Sequence, residues 1–562
     1  MWLQWQLRHK FFVSYKLSCY FAENWFLMKR FLSNLVLLIV IGLLFLQCAN
    51  RGTPSGGEKD ITPPVIVKSE PENFSTNFKA KEINIYFDEY IKIRDLQKQL
   101  ILSPPMNIEP EITPLGSASK YITIKIFDTL QPNTTYAFNF GESIVDNNES
   151  NPYPYYRYVF STGAYIDSLQ VKGRVEDALN QKPEEFVSVM LYEIDSTFTD
   201  SIIYKEKPKY ITNTLDSTST FQLDNLKAGK YLLVALKDEN NNYIFDQKED
   251  KIGFRKEFIT VPSDTSYVLN LFNEITNFKA TRPKQVSGNK IAFGFEGDYE
   301  NMELYLLSKK PKDFKKRTFK DPKSDSLFFF FKPDINNDSL VFKVTNTKYS
   351  DTLTVRTQKL EKDSLVVSAS SQANLKLNEN FVVTANNPLM SFDQKRVTIL
   401  NSKDSTIVNY RKSFDRISNS YSIKFDKQEE SSYKIQMLPG ALTDFFGEVN
   451  DTLNFNIRTR ALSDYGNLRL TLQNAVYPVL VQLVSPQGEV KAELYSTKPE
   501  PLDFIHISAA NYLIRVIYDT NGNKKYDTGN YLKKIQPERV SYYPEMLEIR
   551  SGWDYVETFI LK

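Results

Sequence analysis

Ile83-Asn84-Ile85-Tyr86-Phe87 sets Ile83, Ile85 and Phe87 at every second position. Successive side chains of a strand point to opposite faces, so the spacing predicts a strand with one apolar face turned to a core. Ile122-Thr123-Ile124-Lys125-Ile126 repeats the pattern, and comparable runs recur between clusters of Asn, Asp, Gly and Pro. No convincing helical periodicity interrupts them. The 33 tyrosines and 39 phenylalanines suit half-buried strands. The expected fold is all-β, a tandem array of β-sandwiches in which one face of each sheet is buried. At about 100–150 residues per domain, 562 residues hold four or five of them.

The first segment, 61–163, opens on Ile61-Thr62-Pro63-Pro64. It passes through Thr134-Thr135-Tyr136-Ala137-Phe138 and Ile144-Val145-Asp146-Asn147-Asn148, and closes on Tyr158-Val159-Phe160-Ser161-Thr162-Gly163. These motifs resemble the bacterial Ig-like domain of surface-layer proteins of the SbsA type. The turn departs from that pattern, with Asn147-Asn148-Glu149 where Gly-Asn is usual, and Asn tolerates the left-handed backbone such a turn needs. The second segment, 164–270, contains Val171-Lys172-Gly173-Arg174-Val175 and the run Phe221-Gln222-Leu223-Asp224-Asn225-Leu226-Lys227-Ala228-Gly229-Lys230-Tyr231. It resembles the transthyretin-like, carboxypeptidase-regulatory-like sandwich. The third, 274–360, reads as a sandwich of uncertain type, and its Phe328-Phe329-Phe330-Phe331 is apolar on both faces. Burial in a sandwich or against a neighbouring domain accounts for that run better than a ligand groove does. The fourth, 361–462, repeats the first, with Tyr433-Lys434-Ile435-Gln436-Met437 before Leu442-Thr443-Asp444 and a last strand Asn454–Thr459. The fifth, 465–562, repeats the second: Tyr512–Asp519 aligns with Tyr231–Asp238 at a constant separation of 281 (231 to 512, 238 to 519). The order suggests duplication of a two-domain unit.

Upstream, Met28-Lys29-Arg30 precedes an apolar run from Leu35 to Leu46, then Gln47-Cys48-Ala49-Asn50 and the Gly/Ser/Pro-rich stretch Arg51–Gly57. The run has the length of a secretory h-region and falls short of the roughly 20 residues that span a bilayer. The stretch resembles the lipobox of bacterial lipoproteins, with 28–47 as signal peptide, Cys48 as the lipid-bearing residue and 48–60 as tether. Gln47 departs from the small residue preferred before the cysteine. The tether looks like those of envelope lipoproteins of the Bacteroidota. Residues 1–27 do not resemble a second signal, and translation is expected to start at Met28.

The chain holds 70 Lys and Arg against 68 Asp and Glu, two cysteines and two histidines. The small cationic excess lies in residues 1–47, where Arg8, Lys10, Lys16, Lys29 and Arg30 face only Glu23. No Lys/Arg block stands out, and nothing argues for nucleic acid. After Cys48 the remaining histidine is His506. Thiol catalysis, Ser-His-Asp triads and Cys/His zinc sites then lack their residues.

One chemical pattern occurs twice. Asp238, Asn240, Asn242 and Asp246 share their spacing with Asp519, Asn521, Asn523 and Asp527, and Glu249 falls twelfth in the first loop. In EF-hand loops such alternate positions converge oxygens on Ca²⁺. The glycine of that turn is replaced by Tyr243 and Lys524, Asn530 stands at the second loop's twelfth position, and no flanking helices are expected. Weakly held Ca²⁺ is the only cofactor this pattern suggests, and backbone capping by Asn and Asp is the competing account. The expected protein is a non-catalytic outer-membrane lipoprotein, anchored through Cys48, whose domains in series form a spacer and binding scaffold for an envelope protein or glycan. Cell-surface adhesion or carbohydrate binding is the alternative, with Tyr153, Tyr155 and Tyr156 as candidate sugar-stacking rings.

Overall fold

The computed structural model describes residues 60–214, 218–371 and 373–561, so Cys48, the leader and most of the tether lie outside the described residues. Strands dominate, and the helical pieces are single turns such as Leu96–Gln99. No helix among the described residues is long and apolar enough to cross a membrane. Residues 60–63 and 148–151 cluster separately from the sheets. There the Asn151 amide donates to the carbonyls of Asp60 at 3.0 Å and Thr62 at 3.3 Å.

In the first sandwich the strand Glu82–Ile93 pairs with Ile66–Glu70 and Ser119–Lys125, Glu111–Thr113 lies beyond, and Ile144–Asp146 also pairs with Glu82–Ile93. Ile101–Ser103, Thr135–Asn139 and Arg157–Ser161 form the opposing sheet. The register sets Ile83 against Ile124 and Ile85 against Ile122, all four fully buried with Phe138 and Phe160. Each such burial contributes roughly 1.5–3 kcal/mol. In the first segment's turn the left-handed residue is Ser150, with φ 68°.

The fourth segment repeats this strand order. Phe381–Ala385 lies between Val367–Ala369 and Ser420–Phe425, with Tyr410–Asp415 outermost. Leu389–Phe392 pairs with Leu442–Asp444, and Val397–Asn401, Ser432–Met437 and Leu453–Arg458 oppose them. The same corner closes both. Gln131 N donates to the Tyr136 hydroxyl at 2.9 Å, and Gln428 N to Tyr433 at 2.7 Å. Thr134 N donates to Thr162 Oγ1 at 2.9 Å, and Ser431 N to Thr459 at 3.0 Å. Every residue of the second corner lies 297 positions beyond its counterpart (131 to 428, 136 to 433, 162 to 459).

Segments two and five share another topology. In segment two the first strand, Leu169–Asp177, runs parallel to the last, Ser266–Asn273, and antiparallel to Thr220–Leu226. Gly229–Lys237 pairs with Ser188–Glu193, Lys251–Phe254 and Ile259–Val261. Segment five matches strand for strand: Tyr465–Gln473 is parallel to Asp554–Ile560 and antiparallel to Leu502–Ser508. Ala510–Tyr518 pairs with Val479–Val484, Val540–Tyr542 and Leu547–Ile549. The Tyr231 hydroxyl donates to Lys227 O at 3.0 Å and that of Tyr512 to Ser508 O at 2.8 Å, again 281 residues apart (227 to 508, 231 to 512).

The third segment is a sandwich of five and three strands. Its phenylalanine run divides as strand geometry requires. Phe329 and Phe331 enter the core beside Phe293 and Phe342, while Phe330 turns outward onto Phe319 and, in the fourth segment, Phe445. The Phe330 and Phe319 rings stack at 5.1 Å.

The segments are not simply strung in series, because segment five lies against segment two. The outer face of segment two's sheet carries Met190, Leu232, Val234, Leu236, Phe254 and Phe272, and Tyr531 of segment five is fully buried among them. Around it Thr528 Oγ1 donates to Asn273 O at 2.5 Å, Lys534 pairs with Asp200 at 2.7 Å, and Gln536 Nε2 donates to Phe254 O at 2.9 Å. The Tyr531 amide donates to the Glu274 carboxylate. Elsewhere on the contact the Tyr542 hydroxyl donates to Leu179 O at 2.7 Å. A sheet apolar on both faces needs a second cover, and segment five supplies it.

Candidate functional site

The duplicated Asp/Asn loops leave the ends of equivalent strands, Gly229–Lys237 and Ala510–Tyr518. In the first, Asp238 Oδ1 accepts from Asn240 N at 3.0 Å and Oδ2 from Tyr243 N at 2.6 Å. Asn242 Oδ1 accepts from Ile244 N at 2.8 Å, and Asp246 Oδ1 from Lys248 N at 2.9 Å. In the second, Asp519 Oδ1 accepts from Gly522 N at 2.8 Å and Asn523 N at 3.1 Å, and Oδ2 from Lys524 N at 2.8 Å. Asn521 Oδ1 accepts from Asn523 N at 3.0 Å, and Asn523 Nδ2 donates to Asp527 at 2.9 Å. Tyr243 and Lys524 take the left-handed backbone a glycine would adopt, with φ 61° and 64°. A side chain there carries a cost of about 1–2 kcal/mol, offset by these bonds.

Glu249 is exposed, whereas its neighbour Asp250 is buried. Asp250 accepts Glu239 N at 3.0 Å and Asp246 N at 2.8 Å, one on each oxygen. In the second loop Glu538 takes this role, accepting Thr520 N at 2.7 Å and Asp527 N at 3.1 Å. Each loop therefore closes on two buried carboxylates, Asp238 with Asp250 and Asp519 with Glu538. Burial raises the Asp250 carboxyl above its ordinary value, ahead of the two backbone bonds that lower it. The spacing of the Asp/Asn pattern did not point to Asp250 or Glu538. Their signal is a buried acid shortly before the next strand, visible only once the chain is folded. Among the described residues, no group of three or more His, Cys, Asp or Glu side chains is arranged to hold a metal.

The other polar features are tied into structure. Arg157 bridges segments one and two, with Nη1 2.6 Å from Asp224 and Nη2 donating to Asn225 at 2.7 Å. Lys251 sits between Asp177 at 2.7 Å and Glu184 at 2.5 Å. A hollow of about 720 Å³ beside Glu184, Lys237 and Tyr542 is polar and open, and its Glu184 is held in that ion pair. The His506 ring lies 5.8 Å from that of Tyr465. Of the three candidate stacking rings, Tyr156 is buried and Tyr153 meets it edge-on at 5.8 Å, so they form no flat platform. Tyr155 is exposed. Trp553, 56% exposed and stacked on Tyr555 at 6.3 Å, offers an aromatic surface that the sequence reading passed over.

The sheets define a tandem array of β-sandwiches, and residues 60–162 match the family model described as a bacterial Ig-like domain. Similar solved structures include domains 1–6 of surface layer protein SbsC, at 10% identity over 87% of this chain and 67% of that one, with TM-score 0.15. The Bacillus anthracis TIE protein is similar at 11% identity over 91% and 76%, with TM-score 0.13. The I9–I11 tandem from titin is similar at 11% over 50% and 100%, with TM-score 0.11. At these scores the likenesses carry no argument about function. No curated protein matches the chain.

Proposed function

We propose that this is a non-catalytic envelope lipoprotein, anchored through a lipid on Cys48, whose sandwiches form a braced scaffold for an envelope protein or glycan. The anchor rests on the sequence pattern around Cys48, and the observation that carries the scaffold reading is the contact of segment five with segment two. Its two-domain units are locked by the buried Tyr531 and by hydrogen bonds across a gap of more than 250 residues in sequence. Such bracing holds exposed loops in a fixed relation, which a binding scaffold needs and a flexible tether does not.

Two measurements test the reading. Metabolic labelling with an alkyne fatty acid should mark the wild-type chain and leave Cys48→Ser unmarked, and equal labelling of both would overturn the anchor. Protease shaving of intact cells carrying a C-terminal epitope tag, with lysed cells as control, then assigns the side of the outer membrane. Loss of the tag on intact cells favours adhesion or glycan capture, for which exposed Trp553, stacked on the half-buried Tyr555, forms the aromatic surface. Protection until lysis favours a periplasmic scaffold, with crosslinking to identify its protein partner.

A further inference from the structure

The near-neutral charge of the whole chain conceals a local excess that the sequence reading overlooked. Ser308–Lys323 reads SKKPKDFKKRTFKDPK, in which Lys309, Lys310, Lys312, Lys315, Lys316, Arg317, Lys320 and Lys323 face only Asp313 and Asp321. The stretch joins the edge strand of one sheet, Glu303–Leu306, to the edge strand of the other, Lys315–Lys320, so it forms one rim of the third sandwich. Lys309, Lys310, Lys312 and Lys315 are exposed, and no carboxylate lies within 4 Å of any of them among the described residues. Leu304 and Leu306 turn into the core, which leaves Leu307 outward, 54% exposed and two residues before Lys309; Tyr305 is outward too, with its hydroxyl donating to the exposed Glu303 carboxylate and Lys316 Nζ 5.1 Å from its ring centroid.

We propose that this rim docks on an anionic lipid surface, with the lysines against headgroup phosphates and Leu307 entering the interface. The proposal is independent of the lipid on Cys48. Lysine on an edge strand also prevents strand-to-strand association, which would account for Lys315 and Arg317. It does not account for the loop lysines gathered beside an exposed leucine. Charge alone would serve a polyanionic glycan equally. The exposed Leu307 decides for a bilayer, since a leucine gains by leaving water for the headgroup boundary and has nothing to gain from a hydrated polysaccharide.

The test is flotation of the full chain with vesicles of phosphatidylcholine alone and of phosphatidylcholine with phosphatidylglycerol. The ratio of the two bindings removes any contribution from the apolar run Leu35–Leu46. The expected ratio is well above one at low salt and near one at high salt. The variant K309Q/K310Q/K312Q/K315Q lowers it by on the order of a thousandfold. The control K395Q/K403Q/K424Q/K434Q, with the same change of charge on exposed lysines of segment four, leaves it unchanged. Leu307→Ser lowers anionic binding several-fold and keeps the salt dependence. A ratio of one at low salt, an equal loss in the control, or retention on a sulphated polysaccharide that the rim variant loses while its vesicle ratio holds would each overturn the proposal.

Discussion

The Tyr531 ring stands edge-on to that of Phe254, centroids 5.2 Å apart and planes at 89°, although the two residues belong to different sandwiches. Tyr204 lies 6.3 Å from the same ring, and the Tyr531 hydroxyl has no hydrogen-bond partner among the described residues. The ring therefore makes its contacts through its face and edge rather than its hydroxyl, with Lys534 Nζ 4.1 Å from its centroid. Tyr531→Ala should cost about 3 kcal/mol, read as lost amide protection at Phe254 and Phe272 with Val516 unaffected. Tyr531→Phe should be neutral or slightly stabilising, because it removes a buried hydroxyl that bonds to nothing. Equal losses in both variants would mean that the hydroxyl, and not the ring, holds the contact.

Gly529 tests the closeness of the same contact. A Cβ added there would come within 2.5 Å of the Phe272 ring and 2.8 Å of Ile535 O. Backbone on one side leaves little room to relax. Gly529→Ala should destabilise the contact by about 1–3 kcal/mol. In hydrogen exchange it should resemble Tyr531→Ala, although the residue has no side chain to lose.

Glu274 links this contact to pH. Burial pushes its carboxyl above the ordinary 4.5, ahead of the bonds from Tyr531 N–H and Gln247 and the charge of Lys533, which pull it down. The docked state therefore keeps a proton that the open state releases. The contact is strongest below the ordinary value and weakens as pH rises through the raised one. Urea midpoints compared between about pH 4 and pH 7 should show this slope in the wild type and lose part of it in Glu274→Gln. An unchanged slope would place the titration elsewhere.

Asp519 is fully buried and accepts three backbone N–H groups. Asp519→Ala strands those donors and should cost about 3 kcal/mol. Lys524→Gly, which relieves a φ of 64° in the same turn, should be neutral or stabilise by up to about 1 kcal/mol. Thermal melts of the two variants check the opposite signs.

The loops also set an expectation for Ca²⁺. Asn530 Oδ1 accepts Lys533 N at 2.9 Å, so the second loop lacks the bidentate carboxylate that strengthens an EF-hand, and in the first the one at Glu249 stands exposed. Ca²⁺ at about 1 mM should leave the melting midpoint unmoved, and Tb³⁺ luminescence should not saturate below that level. Saturation at micromolar Tb³⁺ would reverse this reading.

The alternation of Ile83, Ile85 and Phe87 was enough to assign strands and a buried face, because the period of a strand is a local property of the backbone. The 281-residue repeat of Tyr231 and Tyr512 was equally legible. A corner tyrosine and its carbonyl partner lie within four residues, so a local repeat in sequence carries both together. The two-sided Phe328–Phe331 run was legible as burial, but not as burial against Phe445. Within the loops the Asp/Asn spacing was visible, but the backbone-capping role of the buried Asp250, next to the exposed Glu249, was not. Adjacent residues differ only in which way the chain turns them, and a spacing rule cannot read that.

The sequence by itself determined that this is an all-β chain of repeated sandwiches, because alternation and corner motifs act over a few residues. Only the tertiary structure decided that segment five covers the second face of segment two. That cover depends on Tyr531 meeting Phe254 and Phe272 across more than 250 residues, and no local pattern records which distant surface an apolar face will find.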